Sequence, residues 1–143
     1  MRKGFEEIAH TADTGIRAWS PTLTDTLTEA ARGMFSLILP DQARLQASGR
    51  ESLRLAARSP EELLHTLLSE LLFMHSVRRA LPVAYEITVH EQAAIWRCEA
   101  EVDYAEMTAE VQAEATEIKA VTWHGLSLHF DGSRWVAEVI FDT

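Results

Sequence analysis

Residues 135–143 read WVAEVIFDT. Trp135, Ala137, Val139 and Phe141 alternate with Val136, Glu138 and Ile140, and Glu138 is the sole charge among them. Such a run describes a half-buried to buried β-strand, one that lies inside a sheet. The strand then ends on Asp142 and Thr143. Chain ends usually fray and are polar for that reason alone. An inner strand is held to its end, so here two neighbouring carboxylates are held together. They repel each other unless they stand in water or opposite a cation.

Working back from this strand, Asp131-Gly132 in DGSRW is a hairpin-turn signal. EIKAVTWHGLSLHF (117–130) reads as one long strand or as two, broken at Gly125. DYAEMTAEVQAEAT (103–116), rich in Ala and Glu, reads as a helical turn or an acidic loop. AYEITVH (84–90) and AAIWRCEAEV (93–102) form a hairpin around Glu91–Ala93, and RESLRLAARS (50–59) is a further strand. At the other end of the chain, GFEEIAH (4–10) and TGIRAWS (14–20) are short strands joined by the polar corner HTAD.

Two segments carry helical signals. Thr22 with Asp25 is a capping pair, and Leu27, Ala30, Ala31, Met34, Phe35 and Ile38 form one apolar stripe that stops at Pro40. Ser59-Pro60-Glu61-Glu62 is a helix start with a Ser cap and Pro at the first helical position. That helix runs to about Arg79, with Leu63, Leu64, Leu67, Leu68, Leu71 and Leu72 as a broad core face. Arg78 and Arg79 stand at its C-terminal end, where the helix dipole favours cations. The expectation is an α+β fold in a single compact domain over residues 1–143. Two helices pack on a largely antiparallel multi-stranded sheet.

Composition narrows the function classes. A chain of 143 residues, 47% hydrophobic, has enough apolar side chains for a real core. No apolar run reaches the length of a membrane span, and the opening MRKGFEEIAHTAD lacks the apolar middle of a signal peptide. The single cysteine, Cys98, forms no internal disulfide and fits a reducing, cytoplasmic setting. It reads as a small buried hydrophobe in its strand. The net charge of −9, from 13 basic and 22 acidic residues, argues against a direct grip on nucleic acid. It suits a basic protein partner or divalent cations.

Three stretches could carry chemistry. HTADTG holds His10, Asp13 and Gly15, and an Asp in such a corner commonly caps its own backbone. Lys119 interrupts an apolar stretch, which solvent exposure on a strand explains by itself. His124 reads as a structural histidine. The third is the terminal FDT. Histidines and the cysteine lack zinc spacing, and neither a glycine-rich phosphate loop nor a nucleophile elbow is present. Asp13, Asp142 and the carboxyl end at Thr143 would suit calcium or magnesium if the fold brought them together.

Taken together and in order, HTADTGIRAW (10–19), EIKAVTWHGL (117–126) and VIFDT (139–143) resemble the archease family. LTDTLTEAARGMFSL and SPEELLHTLLSELLFM match that family's two helices in place and character, so the likeness spans the whole chain. One stretch departs. The family's Gly-Glu before I-K-A-V-T stands here as Ala105-Glu106, and the Asp and His that follow have no clear counterpart. No role is carried over to the Tyr104–Thr116 loop.

The resemblance implies a protein cofactor of an RtcB-type RNA ligase, which joins RNA ends in tRNA splicing and RNA repair. Archeases promote guanylylation of the ligase and its multiple turnover, and are not themselves enzymes. By matching position, it implies a divalent cation, calcium or another such as magnesium, on Asp13, Asp142 and Thr143. It places Lys119 and His10 in the same functional tip. Two other readings stand beside it. One is a small metal-dependent hydrolase using Asp13 and Asp142 to activate water, with His10 or His124 as base. The other is a chaperone-like binding module without metal chemistry.

Overall fold

The computed structural model describes residues 2–9 and 14–143. It holds β1 (Gly4–Ala9), β2 (Thr14–Ser20), α1 (Leu23–Ile38), β3 (Gly49–Ala57), α2 (Pro60–Arg78), β4 (Ala80–Gln92), β5 (Ile95–Glu106), α3 (Ala109–Glu114), β6 (Ala120–Val121), β7 (Ser127–Phe130) and β8 (Trp135–Asp142). The class is α+β with antiparallel pairing throughout, as expected. The strands divide into two sheets. One runs β1-β2-β8-β6, with β7 also on β8, and the other runs β3-β5-β4.

The 135–142 stretch is the inner strand its sequence describes. β2 pairs with β8 along its whole length, from Thr14↔Phe141 to Ser20↔Trp135. The opposite edge of β8 is shared by β7, from Ser127↔Glu138 to Phe130↔Trp135, and by β6, with Ala120↔Asp142 and Val121↔Phe141. Val136, Ala137, Val139, Ile140 and Phe141 are all buried, so both faces of the strand are covered. Glu138 is carried on the half-buried remainder. Arg17 bridges it at 2.9 Å and Glu6 at 2.8 Å, straight across the three-strand register.

β2 approaches β8 closely at Gly15. A Cβ there would lie 2.7 Å from the Val139 carbonyl oxygen and 2.8 Å from Ile140 Cδ1. Both distances are below contact, so only glycine fits this spot without moving the strand.

The helices form as their caps dictate. Thr22 accepts a hydrogen bond from the Asp25 amide and Ser59 one from the Glu62 amide. The α1 stripe from Leu27 to Ile38 is fully buried, as are Leu63, Leu64, Leu67, Leu68 and Leu71 of α2. α2 ends at Arg79 in the left-handed conformation, φ +52°. α1 lies mainly on β1 and β2 and also meets β4. α2 lies on the β3-β5-β4 sheet and reaches β6 and β7. One apolar cluster therefore runs through both sheets and both long helices, with Cys98 buried in it. Burial pushes the Cys98 thiol up to about 11, which keeps it protonated and unreactive at neutral pH.

One local reading is corrected and one is resolved. Asp103–Glu106 belongs to neither turn nor loop: these residues continue β5, paired from Asp103↔Arg50 on one side and to Glu106↔Ala80 on the other. The helical part is the separate α3, capped by Thr108. Of the two readings of 117–130, the two-strand one holds, with β6 only Ala120–Val121 and β7 Ser127–Phe130. Gly125, at φ +67°, turns the chain between them.

The C-terminal sheet edge as candidate functional site

The short β6 strand clasps the end of β8. The Lys119 amide donates to the Asp142 carbonyl at 2.7 Å. Thr122 donates twice to the Ile140 carbonyl, from its amide at 3.1 Å and its hydroxyl at 2.9 Å. His65 of α2 donates to the Val121 carbonyl at 3.0 Å, which ties this edge to the helix below. The chain end is thus anchored through its backbone up to Asp142, while the side chains of Asp142 and Thr143 stay exposed.

Lys119 directly precedes β6 instead of lying within a strand, and its side chain is exposed as expected. Ile118 beside it is buried, but Ala120 is exposed with Lys119. The alternation of a regular strand is lost because only two residues pair here. The segment separates two clefts. Thr143, with Thr14, Ile16 and Ile118, lines one of about 450 Å³. Lys119, with Leu72, Phe73, Glu117 and Val121, lines the other, of about 460 Å³.

The donor chemistry at the strand end is oxygen, from the exposed Asp142 carboxylate. Hard cations such as calcium and magnesium favour such donors. Among the described residues, no group of three or more His, Cys, Asp or Glu side chains is gathered to hold a metal ion. Asp13 and His10, the other tip residues expected from the sequence, lie outside the described residues. β2 begins at Thr14, opposite Phe141. His124 is exposed in the turn that ends β6, where its carbonyl accepts from the Thr122 hydroxyl at 3.5 Å.

The sequence reading missed the apolar surface around this edge. Trp123 is 58% exposed and stacks on the His65 ring at 3.8 Å between centroids. Phe73 and Val77 of α2 are 65% and 64% exposed. Both lie in a helix so rich in leucine that its apolar character reads as core throughout. The signal was their phase: positions 73 and 77, one turn apart, fall outside the buried leucine face.

This chain matches the archease protein family (MTH1598/TM1083) over residues 5–143. It is 32% identical to the protein archease of Methanopyrus kandleri over 140 residues, 96% of this chain and 98% of that one. It is 29% identical to the protein archease of Methanosarcina acetivorans, covering 98% and 96% of the two chains. Its fold is similar to the solution structure of Methanobacterium thermoautotrophicum protein 1598, with a TM-score of 0.87 at 26% identity over 98% of this chain and 99% of that one. The Thermotoga maritima archease crystal structure, at 19% identity and a TM-score of 0.62 over 100% and 98%, shares the fold. With matches of this extent to the family and to its members, the chain belongs to the archease family.

Proposed function

We propose that this archease is a protein helper of an RtcB-type RNA ligase in tRNA splicing and RNA repair, acting in the cytoplasm. It promotes guanylylation of the ligase and its multiple turnover, and does not join RNA itself. Family membership over nearly the whole chain is the observation that carries this reading. The net charge of −9 supports it, because a helper with this balance approaches a basic protein cleft more readily than a nucleic acid.

The tip is the working end in this reading. Asp13, Asp142 and the Thr143 carboxyl group would hold calcium or another divalent cation such as magnesium. Bound there, the cation would neutralise adjacent carboxylates and offer a positive charge to phosphate oxygens. Lys119 supplies a second cation on the same edge, for a phosphate or a ligase carboxylate, and the family likeness assigns His10 to the same work. The exposed Phe73 at the cleft beside Lys119 gives the ligase an apolar surface to cover.

The test is RNA joining under multiple-turnover conditions by the ligase of the same organism, with GTP, with and without this protein. The expected result is repeated turnover only when both proteins are present, and no joining by this chain alone. Equal turnover without it would overturn the proposal, as would RNA joining by the chain itself.

A further inference from the structure

A third cleft, of about 790 Å³, lies away from the tip between α1 and β4. Seven consecutive residues of β4, Pro82–Thr88, line one wall. A strand presents alternate residues to either face, so a wall of consecutive residues is a strand edge. β4 is indeed the outer strand of its sheet, and Phe5 of β1, the outer strand of the other sheet, lies across the cleft. The opening is thus the gap between two sheet edges, floored by α1. Its size is that of small-molecule sites.

Glu29 of α1 lines this cleft. Its side chain is only 8% exposed, and Oε2 is buried without accepting a hydrogen bond. Glu29 lies off the Leu27–Ile38 stripe, on the face of α1 that carries Asp25 and Arg32 one turn away, and these two line the same cleft. Arg32 forms a 3.5 Å ion pair with it but is 59% exposed, so much of that charge is spent in solvent. A buried carboxylate oxygen left without a donor costs about 1–3 kcal/mol or more. The other acids at the cleft, Asp25 and Glu86, also have ion-pair partners, Lys3 at 3.8 Å and Arg50 at 3.2 Å, but their side chains are 46% and 77% exposed, so water satisfies them. Arg32 Nε stands 3.5 Å from the same Oε2 without making a hydrogen bond to it, so Glu29 can still take an N–H donor of better geometry from the cleft.

We infer that this cleft binds a small organic cation, whose primary ammonium or guanidinium donates to Glu29 while its hydrocarbon body lies against Phe5 and the β4 edge at Ala84. Burial raises the Tyr85 pKa, so the phenol at this wall stays neutral and adds no competing charge. An anion is disfavoured, since it would have to approach the buried Glu29 carboxylate. The inference is independent of the ligase reading and involves no residue of the tip.

The test is an amide NMR titration of the whole protein with agmatine, with spermidine, and with an end-blocked tripeptide carrying a central lysine. Saturable shifts at Thr28, Arg32 and Ile87 are expected with at least one probe. Tighter binding of agmatine or spermidine identifies a free amine, and tighter binding of the tripeptide a basic side chain of another chain. Glu29→Gln keeps the side-chain shape, removes the charge, and should weaken binding at least about tenfold. Ala84→Trp, at an exposed residue of the cleft wall, should block binding without altering a buried group. This second variant decides the matter if Glu29→Gln does not fold. No saturable shift up to about 10 mM of any probe would overturn the inference. So would undiminished binding by both folded variants, or shifts at these amides with inorganic phosphate in place of the amines.

Discussion

Asp142 is exposed at its side chain and fixed at its backbone, a combination that arises from its neighbours. Lys119 donates to its carbonyl from one side. On the other side β2 pairs as far as Phe141, the residue before it, through Thr14. A carboxylate held in place but left in water has lost little solvation and can still take a cation. If a divalent ion binds there, it stabilises the folded chain by mass action. Calcium at roughly a hundredfold above its dissociation constant would contribute about 2.7 kcal/mol. That corresponds to a melting temperature roughly 8 °C higher for a domain of this size. Asp142→Asn removes the charge with little change of shape and should lose most of this rise, which thermal denaturation with and without calcium measures. An equal rise in the variant would remove Asp142 from the ligand set.

At the scale of elements, the β4–β5 hairpin is the place where local sequence and backbone disagree. Its loop is Ala93-Ala94, between the Gln92↔Ile95 pair, and both alanines adopt positive φ, +54° and +64°. Tight hairpin turns need this geometry to match the strand twist, and Asn-Gly supplies it at least cost. Left-handed alanine costs about 1 kcal/mol or more per residue. Replacing the pair by Asn-Gly should therefore raise stability by about 1 kcal/mol in urea denaturation, since the extra freedom of glycine in the unfolded chain offsets part of the gain. A loss of stability would show that the loop geometry is not the one described. The same contrast explains what was legible in the sequence. Both long helices were, because the caps at Thr22 and Ser59 and the apolar stripes are local signals. The inner position of β8 was legible for a similar reason, its apolar residues on both faces. The end of β5 was not: Asp103–Glu106 has helix-forming residues, and only pairing with β3 and β4, far away in the chain, makes them a strand. The division into two sheets depends on which edges meet, and Glu29 looks like an ordinary surface acid until the helix around it is packed.

Over the whole molecule, the residues of the proposed tip meet at one end of one sheet. β8 carries Asp142 to the edge, β6 sets Lys119 beside it, and α2 adds the exposed Phe73 next to Lys119. Of the candidate site, the family likeness put Lys119 and Asp142 at one tip, but the β6–β8 pairing that joins them was not legible, because two paired residues leave no periodic trace. Removing the Lys119 or Asp142 side chain should spare the fold, since exposed substitutions usually change stability within about 0.5 kcal/mol. The most direct test of the tip as the working end is the rate of guanylate transfer from GTP to the ligase, with wild-type protein, Lys119→Ala and Asp142→Ala. Circular dichroism serves as the check on folding. The account predicts that both variants fold and that each loses stimulation by about tenfold or more, the loss of at least one strong charged contact. Folded variants that stimulate guanylate transfer as fast as the wild type would contradict it.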